Sequence, residues 1–210
     1  MSHIEIISLQ SSQEREAAQL LSEAFRDNPG SMAILSGTTA EKREKKLNTL
    51  HSWVVDACIA YGVAKAVVCD NILAGISLAY PPDSYPLSYR AWLRNGIGAA
   101  LIGPRYTWRC AQFDSYIRRK HITERHWYLY VLGIAPSFQG RGFAGKLLRR
   151  LSEQADREGL PCYLETDRPE NVAIYQNFGY AVLCEETIEK LDNVRLWYMM
   201  RPSTEKGNRR

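Results

Sequence analysis

Apolar residues recur along this chain in two rhythms, and the switches between them predict its elements. His3–Leu9 alternates closely enough to predict a short strand. Ala17, Leu20, Leu21, Ala24 and Phe25 then share one helical face, with Ser11 or Ser12 as the expected N-cap and Glu14 in the first turn. Asp27-Asn28-Pro29-Gly30 ends that helix. Leu47, Leu50, Val54, Cys58 and Tyr61 form a second stripe and predict a helix over Thr39–Tyr61. Val63–Cys69 and Ile72–Tyr80 read as strands joined through Asp70-Asn71, a hairpin signal.

Pro81-Pro82 breaks this pattern, and the chain to Arg125 reads as helical. Leu93, Ile97, Ala100 and Leu101 make one stripe; Tyr106, Cys110, Phe113 and Ile117 make another. Between them Gly103-Pro104 punctuates, with Pro104 suited to a first helical turn. Trp127–Ile134 predicts a strand, Ala135–Phe138 a turn, and Gly142–Glu158 a helix ended by Gly159. A strand at Cys162–Thr166, a short helix at Asn171–Phe178 and paired strands at Tyr180–Thr187 and Val194–Met200 complete the series. The order predicts a mixed α/β sheet covered by helices. It occupies one domain over residues 1–202, with a helical insertion at about 81–125 and a flexible tail at 203–210.

Composition narrows the function classes. Lys and Arg number 27 against 23 Asp and Glu, for a net charge of +4. Arg201, Lys206, Arg209 and Arg210 crowd the C-terminal end, so the body is nearly neutral and carries no basic signature of nucleic-acid binding. Arg118-Arg119-Lys120 reads as a solvated helix end. Cys58, Cys69, Cys110, Cys162 and Cys184 are odd in number and widely spaced, which fits a reducing, cytoplasmic setting rather than a disulfide framework. His3, His51, His121 and His126 lack metal-ligand spacing, and no metal is expected. The first residues do not read as a signal peptide, and no apolar run approaches the roughly 20 residues of a membrane span.

One segment carries chemistry. Gly140, Gly142 and Gly145 match G-x-G-x-x-G, and Glu165 lies 20 residues beyond Gly145, the letters of a dinucleotide fingerprint. That motif needs its first glycine at the strand end, whereas Gly140 lies six residues after Ile134. Gly140–Lys146 also fits G-x-x-x-x-G-K, but Leu147 stands where a P-loop needs a hydroxyl for magnesium. The third meaning is a diphosphate cradle built from main-chain N–H groups at a helix N-terminus, with Arg141 and Lys146 at its rim.

Gln139-x-x-Gly142-x-Ala144 resembles the signature of the GNAT N-acetyltransferase superfamily. The run Trp127–Pro136, then Gln139–Gly142, Leu164-Glu165-Thr166 and Asn171–Tyr180 resemble its puromycin-type branch. The resemblance is specific over Trp127–Tyr180, compatible in element order over His3–Tyr80, and silent on Pro81–Arg125. It implies a mostly antiparallel central sheet with a splayed central strand pair, and acetyl-CoA as co-substrate. It implies that Gln139, Gly140, Arg141, Gly142, Phe143 and Ala144, with Gly145, hold the pyrophosphate. The backbone of Leu132, Gly133 and Ile134 would pair with the pantetheine arm, Gly133 marking a bulge or a close approach. Asn171 would contact the arm, and Tyr175 would protonate the leaving thiolate, unless Tyr175 is only a core aromatic beside Phe178.

The acceptor amine must lose a proton, and Glu165 is the residue best placed to take it. A structural acid near the strand end is the competing reading. Tyr128 and Tyr130 stand where many family members carry an acidic base, and His126 is a minor alternative. The resemblance implies that the loop after the first helix, with Phe25, Asp27 and Asn28, borders the acceptor, and Tyr80, Tyr85 and Trp92 would add an aromatic wall; ordinary packing is the competing reading for each. The resulting reading is direct acetyl transfer to a primary amine of a small molecule. A non-catalytic acyl-CoA sensor and a protein or peptide acetyltransferase are the rivals. The partner is thus a small amine, with neither nucleic acid nor membrane; a homodimer is left open.

Overall fold

Asp70 and Asn71 both take positive φ, 50° and 65°, as a two-residue primed turn requires. They close the hairpin of β2 (Val63–Cys69) and β3 (Ile72–Tyr80) at the pair Cys69↔Ile72. The computed structural model describes residues 3–85 and 102–204. Within them one seven-stranded sheet has the order β1-β2-β3-β4-β5-β7-β6, where β1 is Ile4–Ser8, β4 Trp127–Ile134, β5 Cys162–Thr166, β6 Ala181–Ile188 and β7 Val194–Arg201. Every described pairing is antiparallel except β4 with β5.

That parallel pair is short. Trp127, Tyr128 and Leu129 match Cys162, Tyr163 and Leu164, and there it stops. β4 continues to Ile134 alongside β3, so its other edge parts from β5. The register against β3 slips at the same place: Ala79 faces Leu129 and Leu78 faces Val131, which leaves Tyr130 as the extra residue of a bulge. The splayed central pair expected from the resemblance is therefore present. Its bulge falls at Tyr130 rather than at Gly133.

Helices cover both faces. α1 (Glu14–Phe25) and α3 (Ala40–Tyr61) pack Ala17, Leu21, Val55 and Cys58 onto Ala66, Ile76 and Leu78. α2 (Pro29–Ile34) and α4 (Pro104–Lys120) cover Tyr80, Tyr128, Tyr163 and Tyr198 farther along the same face. α5 (Phe143–Glu158) and α6 (Pro169–Gln176) cover the opposite face. There Leu148, Leu151 and Ala155 meet Trp127, Leu129, Cys162 and Leu164, each large side chain contributing roughly 1.5–3 kcal/mol by leaving water.

Three local expectations change. A 3-10 turn at Ser11–Gln13, capped by Gln10 whose N–H donates to the Gln13 side chain at 3.0 Å, leads into α1, and the N-cap of α1 itself is Gln13; neither serine caps. Asp27-Asn28-Pro29-Gly30 ends α1 and also begins α2, because Pro29 fits a first helical position as readily as it breaks a last one. Of the expected helical pair, α4 starts at Pro104 as anticipated; Leu93, Ile97, Ala100, Leu101 and Trp92 lie outside the described residues, as does the tail from residue 205.

Candidate functional site

The loop between β4 and α5 is shaped by two glycines. Gly140 and Gly142 have φ of +76° and +77°, and a Cβ at either would meet nothing within 4 Å. Backbone conformation alone therefore selects glycine there. Left-handed residues on either side of Arg141 turn the surrounding N–H groups toward one concavity. The amides of Phe143, Ala144 and Gly145 follow in the first turn of α5 and have no helical carbonyl behind them. Lys146 N–H already donates to Gly142 O at 3.2 Å. The Gln139 amide donates to Ile134 O at 3.2 Å and ties the loop to the end of β4. These residues fit a diphosphate: the concavity is open, lined by N–H groups, and sits at the positive end of a helix.

Other members of the predicted set have different employment. The Phe143 side chain is buried with Leu147 against Val67 and Ala74, so it anchors the helix and offers the loop only its amide. A Cβ on Gly145 would lie 2.8 Å from Phe178 Cζ, so this glycine lets α5 approach Phe178. A Cβ on Gly133 would stand 2.5 Å from Leu21 Cδ2 and 3.1 Å from Phe25 Cε2. Gly133 thus admits α1 onto the sheet. Leu132 and Ile134 point to the face covered by α5.

Glu165 is the first residue of β5 beyond the last β4–β5 pair, at the mouth of the opening. Cys162 and Leu164 pack toward α5 while Tyr163 packs toward α4, so alternation sends Glu165 to the α4 side. Its side chain is 7% exposed. Tyr128 donates its hydroxyl to Glu165 Oε2 at 2.7 Å. Glu165 Oε1 faces His121 Nδ1 at 3.6 Å, and His121 Nε2 lies 3.1 Å from His126 Nε2. Tyr80, Tyr85 and Tyr130 crowd beside this cluster with centroid separations of 5.6–6.0 Å. Burial raises the phenol pKa of all three and raises that of Tyr128, with the Glu165 charge adding to the effect at Tyr128. Each phenol therefore keeps its proton and can only donate or accept through O–H.

Tyr175 lies on the other face with Leu148 and Tyr180, its ring 5.8 Å from that of Tyr180. Burial, and secondarily the charge of Asp167, pushes its pKa up, so it too stays protonated. Asn171, one turn earlier on α6, donates to Thr166 Oγ1 at 3.4 Å. Tyr175 and Glu165 thus flank β5 from opposite faces. Asp27, its own side chain exposed, is tied into ion pairs with Arg26 and Arg43.

The sequence reading missed two things. His121 carries no motif and meets Glu165 only through the fold, 44 residues apart. Asp167 accepts the Gly30 N–H at 2.7 Å, pinning the start of α2 to the end of β5; burial raises its pKa. Asp167 follows directly on the strand carrying Glu165, which was the available hint. Among the described residues no three His, Cys, Asp or Glu side chains converge as a metal site. Among them, too, no helix is long and apolar enough to cross a membrane.

Comparison with known proteins adds to this geometry. The model of the acetyltransferase (GNAT) family matches residues 80–180. An uncharacterized N-acetyltransferase of Schizosaccharomyces pombe is 31% identical over 176 residues, covering 79% of this chain and 70% of that protein. A crystal structure described as histone acetyltransferase HPA2 and related acetyltransferase, from Corynebacterium glutamicum, superposes with a TM-score of 0.70 at 20% identity, over 97% of this chain and 98% of that one. Arylalkylamine N-acetyltransferase 2 of Aedes aegypti superposes at 0.64 with 13% identity, over 95% and 99%. The likeness to both structures is one of fold. A relative of this identity and coverage, on a sheet with the splayed β4–β5 pair, shows that the chain belongs to the GNAT acetyltransferase family.

Proposed function

We propose that this protein is an N-acetyltransferase that moves an acetyl group from acetyl-CoA to a primary amine of a small molecule, by direct transfer in a ternary complex. One observation carries the reading: an N–H-lined loop and a buried carboxylate lie at two borders of the same strand opening. The names of the fold neighbours point the same way, since they include arylalkylamine and agmatine N-acetyltransferases. The runs Trp127–Pro136 and Asn171–Tyr180 resemble the puromycin-type branch, which supports a small-molecule acceptor.

Acetyl-CoA, when bound, supplies an activated acetyl group and a thiolate leaving group. Gln139–Ala144 hold its pyrophosphate through main-chain N–H groups. The main chain of Leu132, Gly133 and Ile134 serves the pantetheine arm from the free edge of β4, and Asn171 serves it from α6. Glu165 accepts a proton from the acceptor ammonium, which frees the nitrogen lone pair for attack. An N–H near Ile134 steadies the carbonyl oxygen. Tyr175, kept protonated by burial, donates to the departing sulfur.

An amine library assayed with acetyl-CoA for free-thiol release tests the proposal. Amine-dependent thiol release is expected. Tyr175→Phe should lower kcat by roughly 10–100-fold with acetyl-CoA affinity nearly unchanged. Binding of acetyl-CoA without turnover of any amine would replace this reading with a sensor domain. An unchanged rate in Tyr175→Phe would remove the acid role.

A further inference from the structure

Beside the opening, two buried polar atoms confront each other without a hydrogen bond. Glu165 Oε1 and His121 Nδ1 stand 3.6 Å apart, and neither has another hydrogen-bond partner among the described residues. The His121 side chain is 12% exposed, so water does little for it. A buried polar atom left without a partner keeps its desolvation penalty uncompensated.

The cause can be traced inward from the surface. His126 Nδ1 lies 2.6 Å from the Glu124 carbonyl oxygen. A carbonyl only accepts, so His126 Nδ1 carries a proton. Burial holds the His126 pKa below that of a free imidazole, so at neutral pH the ring is uncharged and its Nε2 accepts. His121 Nε2, 3.1 Å away, must then be the donor. With Nε2 committed to His126, His121 turns Nδ1 toward the carboxylate oxygen, and the 3.6 Å gap between these two unpaired atoms is where one proton would make a hydrogen bond and where the proposed reaction releases one.

We propose that His121 and Glu165 jointly receive the proton lost by the acceptor ammonium and that His126 passes it to solvent. This rests on the acetyltransferase reading, with Glu165 as the group that meets the amine. One N–H bond of the ammonium breaks, and its electron pair becomes the attacking lone pair. The proton settles between Glu165 Oε1 and His121 Nδ1. The His121 Nε2 proton moves to His126 Nε2, and His126 releases its Nδ1 proton to water beside Glu124. His121 is then left protonated at Nδ1 and His126 at Nε2, and exchange of these ring protons with solvent restores the starting tautomers before the next turnover. The balance is one proton, from the ammonium to water.

The groups around the line leave this transfer to the three residues. Tyr85, Tyr128, Tyr130 and Tyr163 surround it as neutral phenols. From β6 and β7, Cys184 and Tyr198 face Tyr163. From α4, Asp114 is engaged by Arg118 at 2.6 Å. At the outer end Asp83 and Glu124 lie near His126, where their charge favours arrival of a proton.

The test uses His121→Gln and His126→Gln with two amines of one shape. One has a pKa near 10 and arrives charged; in the other, fluorine substitution brings the amine pKa below the assay pH. At pH 7 both variants should lose roughly 10–100-fold in kcat/KM on the charged amine and less than about threefold on the neutral one. The deficit should shrink as pH rises toward 10, while acetyl-CoA affinity holds. Equal losses on both amines, or no loss on the charged one, overturn the relay. Long-range proton–nitrogen NMR of the wild-type protein provides a check that needs no turnover. Protons on His126 Nδ1 and His121 Nε2 are expected, and any other tautomer pair overturns the assignment. If the wild-type protein acetylates no amine, the acetyl-transfer reading fails, and with it the relay's catalytic role, while the tautomers still decide how the pair is protonated.

Discussion

The glycine loop and the Glu165 cluster border the same opening but are built by opposite means. Gln139–Ala144 is one short stretch whose function lies in main-chain N–H groups and two left-handed glycines. The cluster is made of side chains from separate stretches: Glu165 on β5, Tyr128 on β4, and His121 and His126 from the link between α4 and β4. A site made of backbone must be encoded where it stands, because only local residues decide φ. A site made of side chains needs only that the fold deliver each one. The first leaves a motif and the second leaves none.

The largest effect should come from separating the two at Glu165. In Glu165→Gln the amide oxygen can still accept from Tyr128, and the amide N–H can donate to His121 Nδ1. The variant puts an amide hydrogen into the 3.6 Å gap beside His121, so it should unfold no more easily than the parent. Its kcat on a charged amine should fall roughly 100–1,000-fold, with acetyl-CoA affinity within about threefold. Steady-state kinetics, calorimetry and denaturant melts on one preparation check all three. A variant that is inactive because it is unstable would show instead that Glu165 is the structural acid that was the competing reading.

That competing reading shows where sequence stops being informative. The strands and helices from Val63 to Tyr80 and from Trp127 to Arg201 lie within a residue or two of their predicted places, since apolar period and turn residues are local signals. The splay was expected from a resemblance, and the fold has it; Gly133 was read as a bulge or a close approach, and it is the close approach while Tyr130 bears the bulge. A strand glycine signals either a bulge or a close neighbour, and only the position of α1 chooses between them. Glu165 stood out as an acid in a buried strand. His126 read only as a minor alternative base and His121 carried no role, because their partners are fixed by the crossing of chain segments. α2 was hidden because Asn28-Pro29-Gly30 ends one helix with the residues that begin the next.

The next effect breaks the loop alone. Gly142→Trp adds bulk to the concavity at φ +77°, where a side chain costs about 1–2 kcal/mol of strain. Acetyl-CoA affinity should fall by roughly 100-fold or more, with the Glu165 cluster untouched. Preserved affinity by calorimetry would remove the cradle assignment.

The smallest effect distinguishes the glycines themselves. Gly140→Ala meets no atom and has only its left-handed φ to resist it, so it should cost about 1 kcal/mol of stability. Gly133→Ala drives a methyl group to 2.5 Å from Leu21 Cδ2 and 3.1 Å from Phe25 Cε2, inside the α1 contact. Leu21 is fully buried, so its terminal methyl can move only by displacing its neighbours. Overpacking of this kind costs about 1–3 kcal/mol, and Gly133→Ala should lie in its upper half. Denaturant melts should therefore rank Gly133→Ala below Gly140→Ala, although both glycines were first assigned to one cofactor site. The reverse ranking would mean that α1 yields easily, and that Gly133 is held for the strand edge it presents to the opening.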